Sequence, residues 1–367
     1  MASLTCGFVG LGLIGGSIAK ALKAADPSIK IIAYDTNMET LSLALAEKIA
    51  DIAVSSIDGQ FSACDFIFLC APVSHNDENL VAIKKVLSPK CILTDVGSVK
   101  TTIHEHVQAA GLSSQFIGGH PMAGSERIGY KNSKALLLQN AYYILTPSDK
   151  TTPKMLSSYE NLVRKIGAIP LILSYEQHDY VTAGISHLPH VIAYSLVNLV
   201  KDSDSKDGIM KMIAAGGFKD ITRIASSSPI MWQQICMTNG TNISKLLGEY
   251  INALSTAKEM IDTGDADALY SMFDSARTYR ESFANSSSGP IKRVFSMTVD
   301  IADRPGALAA IVTLLAEKNI SIKNIGITHN REAAEGAMHI EFYEEDSVEK
   351  AKELLSKNGY EIKTRTL

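Results

Sequence analysis

Short, continuous apolar segments alternate with helical stretches in the first half of the chain. The apolar segments are Cys6–Val9, Ile29–Tyr34, Asp65–Cys70, Cys91–Asp95, Ala141–Leu145 and Ala168–Leu173. Strands that are buried on both faces have continuous apolar sequences, and parallel strands need helical crossovers between them. We therefore predict an α/β domain over residues 1–174, with a mostly parallel sheet covered by helices on both faces.

After Tyr175 the strand-like segments stop and apolar residues recur at helical spacing. The broadest apolar stripe comprises Ile243, Leu246, Leu247, Tyr250, Ile251, Leu254 and Ala257. We predict an all-α domain over residues 175–285. A helical block this apolar is expected to pack against a second copy of itself, as the dimerisation domain of a homodimer, although a purely internal core would explain the same pattern.

A third unit follows a short polar linker. Residues 286–291 are mostly small and polar and include a glycine and a proline, which end regular structure. In residues 292–367 we predict a strand at Val294–Asp300, a helix at Gly306–Lys318, strands at Ser321–His329 and Ala337–Tyr343, a helix at Ser347–Asn358 and a strand at Tyr360–Arg365. This βαββαβ order is the ferredoxin-like arrangement.

Composition and charge argue against several classes of protein. The 367 residues carry a formal net charge of −4 with no block of basic residues, so we expect no nucleic-acid partner. The N-terminus lacks the pattern of a secretory signal, and no apolar run approaches the ~18 residues of a membrane span. We therefore expect a cytoplasmic protein that does not bind a membrane.

The cysteines and histidines give no sign of a metal site. Five cysteines are present, at positions 6, 64, 70, 91 and 236, and none forms a C-x-x-C pair. Most lie inside apolar runs, which is typical of buried, reduced thiols. We expect no bound metal.

A glycine-rich turn follows the first predicted strand and opens a helix. The sequence Gly10-Leu11-Gly12-Leu13-Ile14-Gly15 matches the G-x-G-x-x-G fingerprint in the context that a Rossmann-like dinucleotide site requires. Gly10 would allow the tight turn, Gly12 would let the backbone approach a pyrophosphate, and Gly15 would let helix and strand pack closely. The N–H groups at the helix start would hold the phosphates. A glycine-rich turn without a nucleotide is the alternative.

Asp35 favours NAD over NADP as the cofactor. It closes the next predicted strand, twenty residues after Gly15, where a carboxylate accepts hydrogen bonds from a ribose 2′-hydroxyl and repels a 2′-phosphate. Thr36 and Asn37 supply no arginine for that phosphate, although Asp35 could be an ordinary residue at a strand end. The segment Ala71-Pro72-Val73 ends another strand and is expected near the nicotinamide half.

His120 is the best candidate for the chemistry. It lies in Gly118-Gly119-His120-Pro121, just beyond the β-like run Gln115–Ile117, and ligands bind at the carboxyl ends of strands in open α/β sheets. A neutral imidazole beside a nicotinamide can take a hydroxyl proton as the carbon loses hydride, which indicates an alcohol-oxidising dehydrogenase. Ser98 could bind the same hydroxyl, or it could cap the helix that starts near Lys100. We expect Lys100 itself to be a solvated surface residue.

The helical region adds candidates for substrate binding. In Ser186-His187-Leu188-Pro189-His190 a proline separates two histidines and can kink the helix so that His190 faces a cleft. Arg223 suits a carboxylate, or else forms a salt bridge with Asp220. Trp232 either lines the substrate pocket or is an ordinary residue of the hydrophobic core. Glu126 either orients a polar group of the substrate or is an ordinary charged residue of a loop.

Five segments together resemble one known family. They are GLGLIGGS, DVGSVK, GGHPMAG followed by Glu126, SHLPH, and GGFKDITRIA with Trp232 downstream. In this order they resemble the prephenate dehydrogenase family, including its relatives that use arogenate. The resemblance covers about the first 285 residues.

The resemblance implies a reaction and a role for each candidate. Prephenate would undergo NAD-dependent oxidative decarboxylation to 4-hydroxyphenylpyruvate, in L-tyrosine biosynthesis. His120 would act as the base for the ring hydroxyl and Ser98 would hydrogen-bond that hydroxyl. Arg223 would anchor a substrate carboxylate, His190 and Glu126 would help to hold the substrate, and Asp220 would pair with Glu126 or gate entry.

The C-terminal unit resembles an ACT domain, which is a regulatory module that binds small molecules. The matching segments are residues 299–308 and 320–325. The resemblance implies that helix N–H groups at Gly306 and Ala307 could hold an amino-acid carboxylate, and that Asn324 could bind the ligand's polar groups. L-Tyrosine is the expected feedback effector, although the unit could serve only to dimerise.

Three rival functions remain open at this point. An arogenate dehydrogenase would use the same chemistry on a substrate that carries an amino group in place of the side-chain keto group. Another hydroxyacid dehydrogenase could share the arrangement of a Rossmann-like domain followed by a helical domain, but the SHLPH and GGHPMAG segments argue against it. A non-catalytic amino-acid sensor is opposed by the presence of His120, Ser98 and Arg223.

Overall fold

The computed structural model describes residues 4–72, 75–125, 127–285, 295–302, 306–329 and 335–363. Contacts between Cα atoms group the chain into two compact units, Met1–Asp262 and Thr263–Leu367. The division into domains at residues 1–174, 175–285 and 292–367 stays a prediction.

A five-stranded sheet forms the centre of the first unit. Its strands are β1 (Thr5–Val9), β2 (Lys30–Tyr34), β3 (Ile52–Val54), β4 (Phe66–Leu69) and β5 (Ile92–Asp95). They lie in the order β3-β2-β1-β4-β5 and all neighbouring pairs are parallel, as the continuous apolar segments predict. The helices that follow β1, β2, β4 and β5 are α1 (Leu13–Ala25), α2 (Met38–Ala46), α3 (Asn76–Lys84) and α4 (Thr101–Ala109).

Both faces of this sheet are covered. Phe8 and Phe68 stack with their ring centroids 4.9 Å apart in the core on one face. Ile67 and Leu69 point the other way and pack in a second core, with Ile103 of α4. Successive residues of a strand point to opposite faces, so a strand between two cores must be apolar throughout. The predicted α/β architecture is confirmed.

A three-stranded sheet continues the fold beyond β5. It consists of β6 (Ile117–Pro121), β7 (Tyr142–Pro147) and β8 (Ile169–Ile172), with α5 (Pro153–Lys165) between the last two. Strand β6 runs antiparallel to β7, β7 runs parallel to β8, and a bridge between Leu93 and Phe116 joins the start of β6 to β5. The predicted strand at Gln115–Ile117 is wrong by several residues, because Gln115 lies in a 3₁₀ turn and His120 lies inside β6.

Helices follow from Tyr175 onward, as predicted. They are α6 (Tyr175–Thr182), α7 (Leu188–Ser203), α8 (Ile209–Ile213), α9 (Gly216–Thr222), α10 (Pro229–Thr238), α11 (Gly240–Thr263) and α12 (Ala266–Asn285). A π-helical turn, Ala183–His187, joins α6 directly to α7. Pro189 is the second residue of α7 and follows this widened turn closely, so the helical stretch continues through the proline and is not broken by it.

The C-terminal unit contains the predicted βαββαβ order. Its elements after α12 are β9 (Phe295–Ala302), α13 (Ala307–Glu317), β10 (Ile322–His329), β11 (Glu335–Phe342), α14 (Glu345–Lys357) and β12 (Ile362–Lys363). The four strands are antiparallel in the order β10-β11-β9-β12, which is the ferredoxin-like topology. Ile311 and Leu315 of α13 pack with Leu355 of α14 over this sheet, so the predicted fold class is confirmed.

Candidate active site

The glycine-rich turn between β1 and α1 has close backbone contacts at two of its glycines. Gly10 has φ +97°, and a Cβ there would lie 2.8 Å from the backbone nitrogen of Ala71. A Cβ on Gly15 would lie 2.6 Å from the carbonyl oxygen of Gly10 and 2.9 Å from the Cβ of Cys70. These contacts are closer than any side chain tolerates, so both glycines are needed for α1 to pack against the end of β4.

Gly12 has a different environment. A Cβ there would meet no atom within 4 Å, so the backbone at this position is open. Gly12 is also the N-cap of α1, and in the part of the chain that the structure describes no side chain caps the first N–H groups of this helix. An open backbone at a helix N-terminus, which carries a partial positive charge, fits the pyrophosphate of a dinucleotide.

Asp35 lies beside this turn at the end of β2. Its Oδ2 accepts a 2.7 Å hydrogen bond from the backbone N–H of Leu11, and its Oδ1 accepts a 2.8 Å bond from that of Asn37. These two bonds fix the carboxylate, and each oxygen keeps a lone pair for a ribose hydroxyl. These acceptor oxygens therefore fit NAD, whose ribose offers hydroxyl donors, better than a phosphorylated ribose.

The segment that is predicted to adjoin the nicotinamide follows β4. Ala71 and Pro72 follow β4, and Ala71 is in contact with the turn at Gly10. Val73, like the predicted substrate residue Glu126, lies outside the described residues.

His120 is the first member of a chain of three hydrogen-bonded side chains. Its Nδ1 lies 2.8 Å from Nε2 of His178, and Nδ1 of His178 lies 2.8 Å from Oδ1 of Asp179. Asp179 and His178 are buried, whereas His120 is half-buried. The chain runs from β6 into helix α6 and so joins the α/β part to the helical part.

The hydrogen bonds determine which nitrogen of each imidazole carries the proton. Ionised Asp179 can only accept, so Nδ1 of His178 donates to it and Nε2 of His178 accepts. Nδ1 of His120 then donates to His178, which leaves Nε2 of His120 unprotonated. A hydroxyl proton can be transferred to that free nitrogen.

Electrostatics keep His120 neutral until it receives a proton. Burial lowers the pKa of His120 well below its ordinary value, and His178, Lys100 and His187 lower it further. Burial also lowers the pKa of His178, although its bond to Asp179 acts in the opposite direction. Burial opposes ionisation of Asp179, but hydrogen bonds from His178 and from backbone N–H groups hold the pKa of this carboxyl below its usual range.

Asp179 also caps helix α4. Its two carboxylate oxygens accept hydrogen bonds of 2.7 and 2.8 Å from the backbone N–H groups of Lys100 and Thr101. A carboxylate at a helix N-terminus is stabilised by the helix dipole. Asp179, and not Ser98, therefore caps this helix. Ser98 lies half-buried in the loop between β5 and α4.

Lys100 is fully buried, so the expectation of a solvated surface residue is wrong. Its ammonium contacts Oδ2 of Asp95 and donates a 2.7 Å hydrogen bond to the carbonyl oxygen of Gly119. Oδ1 of Asp95 accepts a 3.2 Å bond from the N–H of the same glycine. A buried charge must be paired, and this pair joins β5 to the residue that precedes His120.

The two glycines before His120 are required by packing. A Cβ on Gly118 would overlap Oγ1 of Thr146, and one on Gly119 would lie 2.7 Å from the hydroxyl oxygen of Tyr159. The Gly-Gly sequence thus lets β6 lie close to its neighbours, which fixes where the imidazole projects.

His190 and Trp232 form one wall of the site. Their rings stack with centroids 3.5 Å apart, and Nδ1 of His190 lies 2.9 Å from the carbonyl oxygen of Ser186, to which it donates. Trp232 packs with Val99, the residue after Ser98. Trp232 is buried, and its Nε1 has no hydrogen-bond partner among the described residues. The structure therefore brings the predicted Ser98 loop and the SHLPH segment together.

His187 and His190 have different environments. His187 is buried, and its Nδ1 lies 3.1 Å from Nδ2 of Asn239, while His190 is half-buried against Trp232. Burial lowers the pKa of His187 to about 4 and also lowers that of His190. Of the two, His190 is the one that remains accessible.

Arg223 and Asp220 lie on the exposed side of the helical part. Arg223 begins a 3₁₀ turn after α9, and its charge is near enough to His190 to lower the pKa of that imidazole further. Asp220 is exposed on α9. The charge of Arg223 therefore acts on the His190 side of the His190–Trp232 wall.

The predicted effector residues lie in the C-terminal unit. Gly306 has φ +87° and precedes α13, whose first N–H groups have no side-chain cap among the described residues, which leave out 303–305. Ala307 opens that helix. Asn324 is exposed on β10, next to a β-bulge, and its Oδ1 accepts a 2.9 Å bond from the N–H of Ile325.

Three residues of the site are not predicted from the sequence, namely His178, Asp179 and Asn239. His178 and Asp179 adjoin each other in a helix that starts at Tyr175, and a buried His-Asp pair is a signal that could have been noticed. Asn239 is an isolated amide near the end of α10, and nothing in the sequence distinguishes it.

Two further features bear on ligands and environment. Residues 4–72, 75–125, 127–285 and the described parts of the C-terminal unit contain no group of three His, Cys, Asp or Glu side chains that could hold a metal, and the five cysteines are free.

In the same residues one helical stretch, Tyr175–Ser203, is long and apolar enough to cross a membrane by length and composition alone. That stretch contains the bonded side chains of His178 and Asp179, so it has a role inside the fold that composition does not reveal.

Sequence comparisons match the chain to described families along most of its length. The family described as "Prephenate dehydrogenase, nucleotide-binding domain" matches residues 18–171, "Prephenate dehydrogenase, dimerization domain" matches residues 174–275, and "ACT domain" matches residues 295–359. A curated relative, prephenate dehydrogenase of Bacillus subtilis, is 36% identical over 351 residues, which is 94% of this chain and 94% of the relative.

Solved structures of prephenate and arogenate dehydrogenases are also similar to this chain. The crystal structure of prephenate dehydrogenase from A. aeolicus in complex with hydroxyphenyl propionate and NAD⁺ has a TM-score of 0.72 and 33% identity, covering 77% of this chain and 99% of that chain. Synechocystis arogenate dehydrogenase has a TM-score of 0.69 and 29% identity, covering 76% of this chain and 100% of that chain.

Proposed function

Because the chain belongs to the prephenate dehydrogenase family, whose members are NAD-dependent oxidoreductases, we propose that it converts prephenate to 4-hydroxyphenylpyruvate. One observation carries the proposal most strongly. The chain His120–His178–Asp179 leaves a neutral imidazole nitrogen free to accept a proton, on a strand that adjoins the dinucleotide-binding sheet.

His120 acts as the base in the proposed reaction. Its free Nε2 accepts the proton of the ring hydroxyl, and the resulting imidazolium is stabilised through His178 by the negative charge of Asp179. The same pair fixes the orientation of the ring, as the carboxylate of a catalytic triad does. Ser98 donates or accepts a hydrogen bond at the same hydroxyl. When bound, NAD⁺ accepts the hydride that leaves the carbon bearing this hydroxyl.

The loss of CO₂ makes the ring aromatic, so the protein has to position the substrate more than activate it. Arg223 anchors a substrate carboxylate with its guanidinium. Trp232 forms an apolar wall, and His190 stacks on that wall, where its Nε2 can meet a polar group of the side chain. Glu126 and Asp220 complete this set by holding the substrate and by gating entry.

The cofactor site is formed by the turn and by Asp35. The turn residues Gly10, Leu11, Gly12, Leu13, Ile14 and Gly15 hold the pyrophosphate, and the segment after β4, from Ala71 through Pro72 to Val73, adjoins the nicotinamide. The open backbone at Gly12 and the anchored carboxylate of Asp35 support this proposal.

Arogenate is the second candidate substrate. The solved arogenate dehydrogenase that resembles this chain supports it. The two substrates share the ring, the hydroxyl and the carboxylates, and differ only where an amino group replaces a keto group. His120, Ser98 and Arg223 would serve both, so the choice depends on the groups around the side chain.

We also propose that the chain forms a homodimer through its helical part. The matched dimerization domain supports this, and so does the exposure of large apolar side chains on its helices. Met212, Ile213 and Met237 are 70%, 71% and 79% exposed, which is unusual for such residues unless a partner covers them. The proposed domains are residues 1–174, 175–285 and 292–367, joined by the linker 286–291.

L-Tyrosine is the proposed effector. The matched ACT domain and the uncapped N-terminus of α13 after Gly306 support binding of an amino-acid carboxylate there, with Ala307 and Asn324 as further contacts. For an enzyme of amino-acid biosynthesis we propose the cytoplasm as the location.

A comparison of substrates tests the proposed function. NADH formation is measured with prephenate and with arogenate, each with NAD⁺ and with NADP⁺. The proposal predicts the highest kcat/KM for prephenate with NAD⁺. Preference for arogenate would keep the mechanism and change the substrate, whereas no turnover of either would contradict the proposal.

A further inference from the structure

A single helical stretch carries four histidine and aspartate side chains of the site. His178 and Asp179 lie in α6, His187 ends the π-helical turn, and His190 lies in the first turn of α7. Two of them belong to the proton chain and two adjoin the Trp232 wall. The π-helical turn lies between the two pairs.

The turn changes how these side chains are arranged around the helix axis. An α-helix advances about 100° per residue, so without a break Asp179 and His187 would be about 80° apart, and His178 and His190 about 120° apart. A π-helical turn accommodates one extra residue, which takes about 100° from both offsets. Each pair is then within about 20° of alignment, and all four side chains lie towards one side of the helix.

One side chain from outside the stretch connects α6, which precedes the π-helical turn, to the last residue of that turn. Nδ2 of Asn239 donates a 2.7 Å hydrogen bond to the carbonyl oxygen of Asp179 and lies 3.1 Å from Nδ1 of His187. Asn239 is buried, and its Oδ1 accepts a 2.8 Å bond from Nδ2 of Asn242. Since a carbonyl oxygen only accepts, both amide hydrogens of Asn239 are used and Nδ1 of His187 is the acceptor.

We propose that Asn239 is a positioning residue that holds the π-helical turn and so aligns the proton chain with the His190–Trp232 wall. The carbonyl of Asp179 precedes the widened turn, and His187 is its last residue. The two bonds of Asn239 fix the offset between them. The effect on catalysis rests on the proposed function, whereas the effect on the wall does not.

Trp232 offers a direct readout, because it is the only tryptophan in the chain. Its fluorescence therefore reports the stack with His190 in the folded full-length protein. The variants are Asn239→Asp, which keeps the shape and loses both donors, and Asn239→Ala. The matched control is Thr238→Ala, because the hydroxyl of Thr238 bonds only to carbonyl groups of its own helix.

We expect both Asn239 variants to change the intensity and emission maximum of Trp232 while their circular dichroism stays native. We also expect kcat with prephenate to fall by about 10- to 100-fold, because small misplacements in a site have effects of this size. The KM for NAD⁺ should stay unchanged, since the glycine-rich turn and Asp35 do not contact Asn239. Thr238→Ala should match the wild type in all three measurements.

Deletion of Ile185 tests the rotation itself. This side chain is 67% exposed in the π-helical turn, so its removal takes nothing from the core. The deletion is made together with Pro189→Ala, because a proline inside a plain α-helix removes a hydrogen bond and clashes with the carbonyl four residues earlier. The shortened stretch can then form a plain α-helix with the same alignment downstream, so Trp232 emission should stay close to that of the single variant Pro189→Ala. Loss of that emission in the shortened variant would contradict the rotational argument.

The outcomes separate the inference from the proposed function. Native Trp232 emission in Asn239→Asp would overturn the inference, whatever the activity. If wild-type protein turns over neither prephenate nor arogenate, the proposed function fails, and the fluorescence comparison still tests Asn239.

Discussion

His120 is neutral for reasons that lie in its immediate neighbours. Burial and three nearby groups that can carry positive charge, namely Lys100, His178 and His187, lower its pKa together. Asp179 is linked to His120 only through His178. Its negative charge therefore stabilises His120 most when that imidazole has gained a proton. This arrangement suits a base that is neutral in the resting enzyme and charged only while the hydroxyl is deprotonated.

Replacing His120 by asparagine tests the base directly. The amide of His120→Asn keeps hydrogen-bonding capacity but cannot take up a proton. We expect kcat with prephenate to fall by about 10²- to 10⁴-fold with little change in KM, because a base acts mainly in the transition state. Steady-state kinetics at saturating NAD⁺ measure both constants. An almost fully active variant would show that another group is the base.

Replacing Arg223 by alanine tests the carboxylate anchor. An anchor binds the carboxylate in the ground state and in the transition state alike, so Arg223→Ala should raise KM for prephenate with a smaller effect on kcat. Lys219→Ala, one helical turn earlier on the exposed surface, is the matched control and should change neither constant. An unchanged KM in Arg223→Ala would refute the anchoring role.

At the scale of elements, β5, β6 and α4 are held together by polar side chains in a buried setting. Asp95 and Lys100 join β5 to β6 at Gly119, and Asp179 joins α6 to the start of α4. Each of these links ends next to His120 or at its hydrogen-bond partners. The geometry of the site therefore depends on contacts between elements and not on a single loop.

Removing the ammonium of Lys100 should be costly. Lys100→Met leaves the carboxylate of Asp95 buried without its partner, and breaking a buried pair in this way typically costs about 3–5 kcal/mol. We expect the free energy of unfolding, measured with urea, to fall by that amount. The double variant Lys100→Met with Asp95→Asn leaves no charge at this pair, so it should recover much of the lost free energy of unfolding. A single variant within about 1 kcal/mol of the wild type would contradict this account.

The sequence predicts elements better than it predicts contacts between them. Buried strands such as β1 and β4 and the alternation of strands and helices follow from apolar patterning, whereas β3 was not predicted because it is only three residues long. The environments of Lys100, His178 and Asp179 depend on residues distant in sequence, which patterning cannot reveal. The position of His120 within β6 was missed because glycines seldom mark a strand.

At the scale of the whole molecule, the buried histidines make stability depend on pH. Burial lowers the pKa values of His104 and His187 from the ordinary 6.5 to about 4 in the folded protein. A histidine with a lowered pKa stabilises the fold above its unfolded value, and that contribution is lost as pH falls towards the folded value. The lowered pKa of Asp179 acts in the same direction.

We therefore expect the free energy of unfolding to decrease as pH falls from about 6.5 to about 4, by about 1.4 kcal/mol per pH unit for each of His104 and His187. Urea unfolding across this range measures the slope. In His104→Phe the ring can still stack on Tyr175, and the slope should become shallower. A pH-independent free energy would show that these imidazoles are not buried in the neutral form.

The proposed effector site predicts separable effects on regulation and catalysis. Asn324→Ala should weaken inhibition by L-tyrosine at least several-fold and leave KM for prephenate unchanged, because the C-terminal unit contains none of the proposed catalytic residues. Lys323→Ala, the exposed neighbour on β10, is the matched control. Inhibition that stays intact in Asn324→Ala and is competitive with prephenate would locate tyrosine in the active site.

The stoichiometry of the complete reaction is the most direct test of the account. Purified protein is incubated with prephenate and NAD⁺, and NADH, CO₂ and 4-hydroxyphenylpyruvate are quantified together. The account predicts that the three products form in equal amounts with the wild type and at a rate lower by orders of magnitude with His120→Asn. NADH without CO₂, or no NADH from the wild type, would contradict it.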